Sequence, residues 1–261
     1  MNILAIFPHP DDLVIHAAGS LARWKNEGHH VAAISCTSGN LGTLRDDETG
    51  AQVAAIREAE MRAAHEILGI ASTEVLGYPD GGLLDAAKLR RELVGCVRKH
   101  RPDRVLTVDP WVPYEVHPDH TTVGRMAAEA AAFAAFPLLY PEQLTRELRP
   151  HAVPEVWFMG PLANAANCYV NIASTLDTKI DAMLKFEATL AIIASYFSMK
   201  LDANNISAEE RQTLSRRADE WIRKMAGKFG EKAGMPAAEA FLVQKCIPGH
   251  FDNFDGLLKN E

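Results

Sequence analysis

Two segments of the chain, Asn2–Phe7 and Arg104–Val108, are rich in apolar residues without a regular alternation and are followed at once by polar turns. A strand with one wet face alternates apolar and polar side chains, whereas a strand covered on both faces is apolar throughout. The two segments therefore predict central strands of a parallel sheet. Such a sheet requires helices on both of its faces.

The rest of the sequence continues this alternation of strands and helices. In the first half we expect strands over 30–36 and 73–76 and helices over 17–27, 51–68 and 84–100. Later segments predict a helix over 121–136, strands over 155–159 and 169–172, helices over 174–197 and 208–228, and a turn-rich tail from residue 248. Because no linker interrupts the pattern, we expect a single domain over 1–261. Its predicted class is α/β, with a Rossmann-like, mostly parallel sheet, helices on both faces and a helical C-terminal portion.

A histidine–aspartate motif follows each of the two apolar segments. Residues 8–12 read Pro-His-Pro-Asp-Asp, and residues 117–120, after a loop over 109–116, read His-Pro-Asp-His. Ligands of open parallel sheets bind in the crevice beyond the carboxyl ends of the strands. Both motifs fall at that end, so we expect them to form one site although they are far apart in the sequence.

The side chains of the two motifs suit a divalent metal ion. A catalytic zinc ion takes three protein ligands, among them histidine nitrogens and carboxylate oxygens, and keeps a fourth position open. His9 and Asp12 can chelate from one turn, and His120 can complete the set. This leaves Asp11 and His117 beside the metal, where a base that activates water and an electrophilic partner are needed.

The same motifs also have a plainer interpretation. The aspartates can cap helices, since a carboxylate accepts hydrogen bonds from the free N–H groups of a first turn, and the histidines can lie in polar loops. Pro118 suits the first position of a helix, and Asp119 can hydrogen-bond an imidazole and hold its tautomer. The repetition of His-Pro-Asp at a second strand end favours the metal site.

Composition and charge restrict the class of protein. The chain of 261 residues is 48% hydrophobic and 23% charged, which is ordinary for a globular protein. Its net charge of −7 disfavours nucleic acid as a partner. The sequence has no membrane-length apolar run, no basic leader and no closely paired cysteines, so we expect no membrane partner, a cytoplasmic location and four reduced thiols. No glycine-rich nucleotide motif follows a predicted strand.

Over residues 1–125 the motifs and their order resemble the PIG-L, or LmbE-like, family of zinc-dependent N-deacetylases. Four stretches carry the resemblance: residues 8–12, residues 56–60 (Ile-Arg-Glu-Ala-Glu), residues 76–81 (Leu-Gly-Tyr-Pro-Asp-Gly), and residues 109–120 from Asp-Pro-Trp to His-Pro-Asp-His. Within the family, the chain is most similar to the branch of diacetylchitobiose and N-acetylglucosamine deacetylases.

The resemblance implies a role for each polar residue of the two motifs. The implied ligands, for one Zn²⁺ per subunit, are His9, Asp12 and His120. Asp11 would act as the base. His117 would stabilise the oxyanion and protonate the leaving amine, and Asp119 would orient His117.

Two further positions, Arg57 and Asp80, match residues that contact sugar hydroxyls in related deacetylases. Without the resemblance, Arg57 equally suits an ion pair with Glu58 or Glu60 in its own helix. Asp80 suits a turn former in the sequence Pro-Asp-Gly.

Two stretches depart from the pattern of the family. Leu13 stands where many members have glutamate, and residues 16–19 read His-Ala-Ala-Gly where many members have a glycine-rich stretch. Neither departure affects a predicted ligand, so both bear on the packing behind the site and on the substrate subgroup. We expect His16 to lie behind the ligands or on the surface.

The resemblance also implies an assembly. In the most similar branch, a residue from the C-terminal region of a neighbouring subunit completes the pocket, and His250 is the candidate here. This interpretation predicts a homo-oligomer, with a hexamer among the expected forms. Alternatively, the segment seals its own subunit. Trp111 and Tyr114 precede the second motif and either stack on a sugar ring or pack against protein; we take Tyr114 as a substrate contact.

These observations predict a zinc-dependent hydrolase that removes an N-acetyl group from an amino sugar or an amino-sugar conjugate. Two alternatives keep the metal but change the reaction: an amidase acting on a thiol or other conjugate, and a hydratase on the same scaffold. A third alternative is a metal-stabilised sugar-binding protein, which has no use for Asp11 and His117. Affinity alone does not select zinc over other divalent ions.

Overall fold

The computed structural model describes residues 1–82, 85–160 and 165–251. The first half alternates strands and helices in the order β1 Asn2–Phe7, α1 Asp12–Asn26, β2 His30–Thr37, α2 Gly50–Leu68, β3 Ser72–Tyr78, α3 Ala86–His100, β4 Arg104–Val108 and α4 Pro118–Phe133. The second half continues with β5 Glu155–Met159, β6 Cys168–Asn171, α5 Leu176–Met183, α6 Glu187–Ile192, a 3-10 helix over Ile193–Phe197, α7 Ala208–Ala233, β7 Ala238–Ile247 and β8 His250–Phe251. A further 3-10 turn spans Pro141–Gln143.

The strands form one mixed sheet in the order β3-β2-β1-β4-β5-β7-β6, and β8 pairs with β7. The five strands from β3 to β5 are parallel, whereas β7 runs antiparallel to both β5 and β6. The predicted α/β class with a mostly parallel sheet is therefore confirmed. The motifs after β1 and β4 meet at one edge because these two strands are adjacent and parallel.

Helices cover both faces of the sheet, so both faces of a central strand are buried. Strand β1 shows the result, because its successive side chains pack into two different cores. Ile3, Ala5 and Phe7 belong to the core that packs against α1, α2, α5 and α7. Leu4 and Ile6 belong to the core on the opposite face, beneath α3 and α4. Every second side chain thus enters a different core.

Two predicted helices differ clearly from the structure. Helix α1 begins at Asp12, five residues before the predicted start at 17, so the first motif lies at its N-terminus. The predicted helix over 174–197 is divided, because Phe186 leaves the helical conformation (φ −92°, ψ 67°) and buries its ring completely. The first residue of the predicted helix over 84–100 lies outside the described residues.

The C-terminal portion contains the helices α5 to α7, as predicted, but β7 was not expected. Its sequence, Ala-Glu-Ala-Phe-Leu-Val-Gln-Lys-Cys-Ile, has only a weak strand pattern, and its first four residues are buried on both faces. The strand forms because β5 and β6 both leave an edge that it fills. No helix among the described residues is long and apolar enough to cross a membrane.

Candidate active site

The turn between β1 and α1 holds the first motif. Asp12 Oδ2 accepts a hydrogen bond from the backbone N–H of His9 at 2.7 Å and lies 3.2 Å from His9 Nδ1. Asp11 occupies the N-cap position of α1, yet its side chain makes no capping hydrogen bond within the described structure. Both carboxylates therefore point away from the free N–H groups of the helix, contrary to the plain capping interpretation.

The second motif forms the start of α4. His117 is the N-cap residue and accepts a hydrogen bond at Nδ1 from the backbone N–H of Asp119 (3.3 Å), and Pro118 takes the first helical position. Glu115 accepts the backbone N–H of His117 at 2.7 Å and lies 3.1 Å from His120 Nδ1. The loop before α4 thus orients the last imidazole of the motif.

Imidazole nitrogens and carboxylate oxygens from the two motifs converge. Asp12 lies 3.2 Å from His9 Nδ1 through Oδ2 and 3.4 Å from His120 Nε2 through Oδ1. The ring nitrogens of His9, His117 and His120 also lie within 4.8 Å of one another. These two groupings contain His9 and His120 and differ in the third donor; a nitrogen of His9 also lies within 4.8 Å of oxygens of Asp80 and Asp119. Either set, two imidazoles with a third imidazole or a carboxylate, fits a divalent ion such as zinc.

The pKa values of these groups are shifted by their contacts with one another. Burial alone lowers the pKa of His9, but hydrogen bonds with Asp119 and Asp12 outweigh it and raise the pKa to about 10. Burial likewise lowers the pKa of His120, and its hydrogen bond with Asp12 raises it above the ordinary value. For Asp12, burial raises the pKa, whereas the bonds to His120 and His9 bring it well below its usual range. The imidazoles of His9 and His120 and the carboxylate of Asp12 therefore stabilise one another's charged forms.

Asp119 is fully buried and pairs with His9 more closely than with His117. Its Oδ2 lies 3.3 Å from His9 Nε2 and 3.9 Å from His117 Nδ1. The backbone N–H groups of Gly81 and Gly82 each donate to its carboxylate at 2.8 Å. The carboxylate of Asp119 thus orients His9, while its backbone N–H contacts His117.

The pKa of His117 lies below the ordinary value of an imidazole. Burial is the main cause, and the neighbouring His9 and His120 add to it. Its side chain is 42% exposed and its ring stacks on His120, with centroids 4.8 Å apart. It is the most accessible imidazole of the three.

A clamp of two side chains holds Asp11. Arg57 Nη2 pairs with Asp11 Oδ1 at 2.7 Å, and the hydroxyl of Thr189 donates to Asp11 Oδ2 at 2.7 Å. Arg57 Nη1 also donates to the Thr189 hydroxyl, which closes the triangle. Arg57 is buried and lies 3.7 Å from Glu60, so the ion pair within its own helix is present but longer than the pair with Asp11.

One cavity of about 350 Å³ exposes most of these groups. Its described lining residues are His9, Asp11, Asp12, Ile15, Leu41, Gly42, Arg57, Asp80, Gly81, His117, His120, Thr189, Ile192 and Ile193. Asp80 also accepts the backbone N–H groups of Gly39 (3.2 Å) and Leu41 (3.1 Å), so it supports the loop after β2. The turn-forming interpretation of Asp80 and its place in the cavity are thus compatible.

Two predicted substrate contacts lie outside the described lining of this cavity. Tyr114 is 98% exposed and has a positive φ of 66°. His250 lies on β8, next to Gly249, whose N–H donates to Ala132 near the far end of α4. Ala132 lies 12 residues beyond His120 on α4, about 18 Å along the helix axis, so His250 lies away from the cavity of its own chain.

Sequence reasoning missed two residues that contact the site. Glu115 lies two residues before the second motif, and a carboxylate next to a predicted histidine ligand was an available signal. Thr189 lies on α6, in a segment predicted as one continuous helix, and no sequence signal connected it with Asp11.

Comparisons with known proteins identify relatives of this chain. A family model described as "PIG-L: GlcNAc-PI de-N-acetylase" matches residues 4–131. Diacetylchitobiose deacetylase of Thermococcus kodakarensis is 34% identical over 187 residues, which cover 72% of this chain and 69% of that protein. A Bacillus anthracis protein, named as a probable N-acetyl-alpha-D-glucosaminyl L-malate deacetylase, is 34% identical over 136 residues, which cover 50% of this chain and 59% of that protein.

The fold has a solved counterpart. The structure of N,N'-diacetylchitobiose deacetylase from Pyrococcus horikoshii, in complex with an inhibitor, is similar with a TM-score of 0.80 and 28% identity. The similarity covers 98% of this chain and 88% of that one.

Proposed function

This chain belongs to the PIG-L family of de-N-acetylases, and on that premise we propose that it is a metal-dependent hydrolase that removes the N-acetyl group from an amino sugar or an amino-sugar conjugate. One observation carries the proposal. A single cavity contains a donor set for one metal ion together with a carboxylate and an imidazole, Asp11 and His117, that the donor set does not require. The names of the two relatives, both deacetylases, support the choice of substrate class.

We assign His9, Asp12 and His120 as the ligands of one zinc ion per subunit. Asp12 supports this choice over His117, because each of its oxygens already faces one of the other two ligands. His117 uses Nδ1 to accept a backbone hydrogen bond, which leaves Nε2 available to contact substrate. A zinc ion supplies Lewis acidity, which polarises an acyl oxygen and makes a water molecule more acidic.

Asp11 is the proposed base. Its two oxygens accept one hydrogen bond each from Arg57 and Thr189, and a carboxylate has about four acceptor positions, so room remains to take a proton from water. The clamp prevents rotation of the carboxylate and holds it towards the cavity. This fixed geometry lowers the cost of reaching the reactive arrangement.

His117 is the proposed partner of the developing oxyanion and of the leaving amine. Its exposed edge faces the cavity, and donors aimed at developing charge stabilise a transition state. Burial holds the pKa of His117 below its ordinary value, so its protonated form readily gives a proton to an amine.

The substrate contacts remain proposals. Arg57 and Asp80 line the cavity but are bonded to Asp11 and to the loop after β2, so contact with sugar hydroxyls would be an additional role. Tyr114 would contact substrate at the mouth. His250 would act on a neighbouring subunit, because it lies far from the cavity of its own chain. This proposal carries the homo-oligomer with it.

The test is amine release from N,N'-diacetylchitobiose and N-acetylglucosamine by the zinc-loaded protein, with Asp11→Asn as the control. We expect release by the parent protein and its near-complete loss in the variant. Absence of release from protein with bound zinc would contradict the substrate class. Parallel assays with the amide of a thiol conjugate and with an unsaturated acid would then identify the amidase or the hydratase alternative.

A further inference from the structure

A second cavity lies beside the candidate active site, on the other side of Ile15. It has a volume of about 220 Å³ and lies between α1, α7 and the start of β7. Ile15 lines both cavities, and His16 lines the second. Residues 12, 15 and 16 lie on one face of α1, so this side chamber begins about one helical turn, roughly 5 Å, from Asp12.

The walls of the side chamber are apolar. Helix α7 and strand β7 provide most of them, through Trp221, Ile222, Met225, Ala226, Phe229, Ala238 and Ala240. An apolar surface of this kind gains free energy when a nonpolar group displaces water from it.

The charged groups in the wall are already satisfied by protein atoms. Lys179 Nζ donates to Glu239 Oε1 at 2.6 Å and to the carbonyl of Ile15 at 2.8 Å. Glu239 also accepts the backbone N–H groups of Gly19 (3.0 Å) and Ser20 (2.7 Å). The ion pair therefore holds α1, α5 and β7 together and does not call for a charged ligand.

One polar side chain is left at this chamber. Within the described residues, the imidazole of His16 makes no hydrogen bond. Its ring packs so closely on Gly160 that a Cβ there would lie 2.9 Å from it, and Gly160 has a positive φ of 65°. The imidazole of His16 is therefore free to bind a polar atom of a ligand, at the bond that joins a sugar to a nonpolar substituent.

We propose that the side chamber binds an apolar arm of the amino-sugar substrate, of the size of a phenyl ring or a short alkyl chain. An apolar cavity of about 150 Å³ binds benzene, so a volume of 220 Å³ accommodates such a group. The inference rests on the proposed function and deepens it, since it makes the substrate an amino sugar with a nonpolar substituent. The arm is attached either at the anomeric oxygen or through the acyl group.

Two pairs of substrates distinguish the two attachments. The first pair is the methyl and benzyl glycosides of N-acetylglucosamine, and the second is N-acetylglucosamine and N-phenylacetylglucosamine. For one pair, we expect kcat/KM of the arm-bearing sugar to exceed that of its partner by about tenfold or more. Equal values in both pairs would overturn the proposal while leaving the deacetylase function intact.

Variants of α7 locate the effect. Ala226→Leu fills the chamber and should reduce the preference for the arm about tenfold, whereas Met225→Ala enlarges it and should retain or extend the preference. Lys224→Leu places the same new side chain on the exposed face of α7 and should leave the ratio unchanged. Because each result is a ratio within one protein, a partial loss of folded protein cancels. A ratio that falls equally in Ala226→Leu and Lys224→Leu would contradict the assignment.

Binding separates this inference from the proposed reaction. Calorimetry with the benzyl and methyl glycosides requires no turnover. Tighter binding of the benzyl glycoside that Ala226→Leu abolishes would support the side chamber even if neither sugar were hydrolysed. Equal or absent binding of both, in protein that hydrolyses neither, would reject both proposals.

Discussion

The first half of the molecule and the second half contribute differently to the cavity. Residues up to 120 supply the imidazoles and carboxylates, in two short motifs at the ends of adjacent parallel strands. The second half supplies Thr189, which holds a carboxylate, and the apolar walls of the side chamber. Reactive groups thus occur in compact motifs, whereas the groups that orient and enclose them are dispersed.

The difference reflects what each role requires. Chelation needs donors within a few ångströms, and a turn such as residues 8–12 provides several donors at once. A supporting contact needs only one side chain of suitable shape, so many positions in the fold can provide it. We therefore expect substitutions in the first half to abolish the reaction and substitutions in the second half to weaken or redirect it.

The largest expected effect is that of Asp11→Asn. The variant keeps the shape of the side chain but not its basicity, so kcat should fall about a hundredfold or more. Metal analysis should still find zinc bound, because Asp11 is not an assigned ligand. Near-normal turnover by this variant would show that Asp11 is not the base, and that the first half does not supply this reactive group.

The second effect is the dependence of metal binding on pH. With the pKa of His9 raised to about 10, its imidazole is protonated at neutral pH and must lose that proton before it can bind zinc. Zinc affinity should therefore rise with pH below 10, by about tenfold per pH unit for each proton released. Competition with a chelator between pH 6 and pH 8 measures this slope, and a flat profile would contradict it.

The metal-free protein should show the opposite trend in stability. The folded-state pKa of His9 lies above its ordinary value of 6.5, so protonation stabilises the fold. This contribution is complete below pH 6.5 and is lost as the pH rises through about 10. Thermal unfolding in the presence of a chelator should thus show a falling Tm over that range.

A smaller effect is expected for Glu115, which supports His120 from the same half of the chain. Loss of a carboxylate that orients a ligand histidine typically costs about 10- to 100-fold in metal affinity, so Glu115→Ala should weaken zinc binding by about this factor. Glu147→Ala removes an exposed carboxylate and serves as the matched control. Equal zinc affinities for the two variants would show that the loop does not orient the ligand.

The smallest effect should come from Thr189, in the second half. Thr189→Val removes the hydroxyl that holds Asp11 while nearly preserving volume, and kcat should fall about tenfold with little change in KM. Thr189→Ser keeps the hydroxyl and should recover most of the activity. A loss as large as that of Asp11→Asn would mean that the halves do not divide the work in this way.

The sequence predicted the elements whose patterns are set locally. The apolar residues of β1 and β4 sufficed because strands buried on both faces show no alternation of apolar and polar side chains. The approach of the two motifs was expected because both follow the carboxyl ends of parallel strands, and the structure shows that these strands, β1 and β4, are neighbours. The roles assigned to the individual site residues remain predictions.

What sequence reasoning missed depends on packing between distant segments. The contact of Thr189 with Asp11 requires the helix over 174–197 to break, and it breaks where the ring of Phe186 enters the core. The pairing of Arg57 with Asp11 depends on how α2 packs beside the first motif, which helix periodicity does not specify. Strand β7 is a strand only because two others lie on either side of it.

The insertion of β7 between β5 and β6 has a consequence for how the protein is made. Ribosomes deliver the chain from its N-terminus, so β5 and β6 emerge long before the strand that joins them. Until residues 238–247 have left the exit tunnel, Lys179 lacks Glu239 and α7 lacks the strand on which it packs. The first half can assemble its motifs early, whereas the nascent second half exposes unpaired strand edges. Chains with such edges bind chaperones, and they aggregate when synthesis stalls.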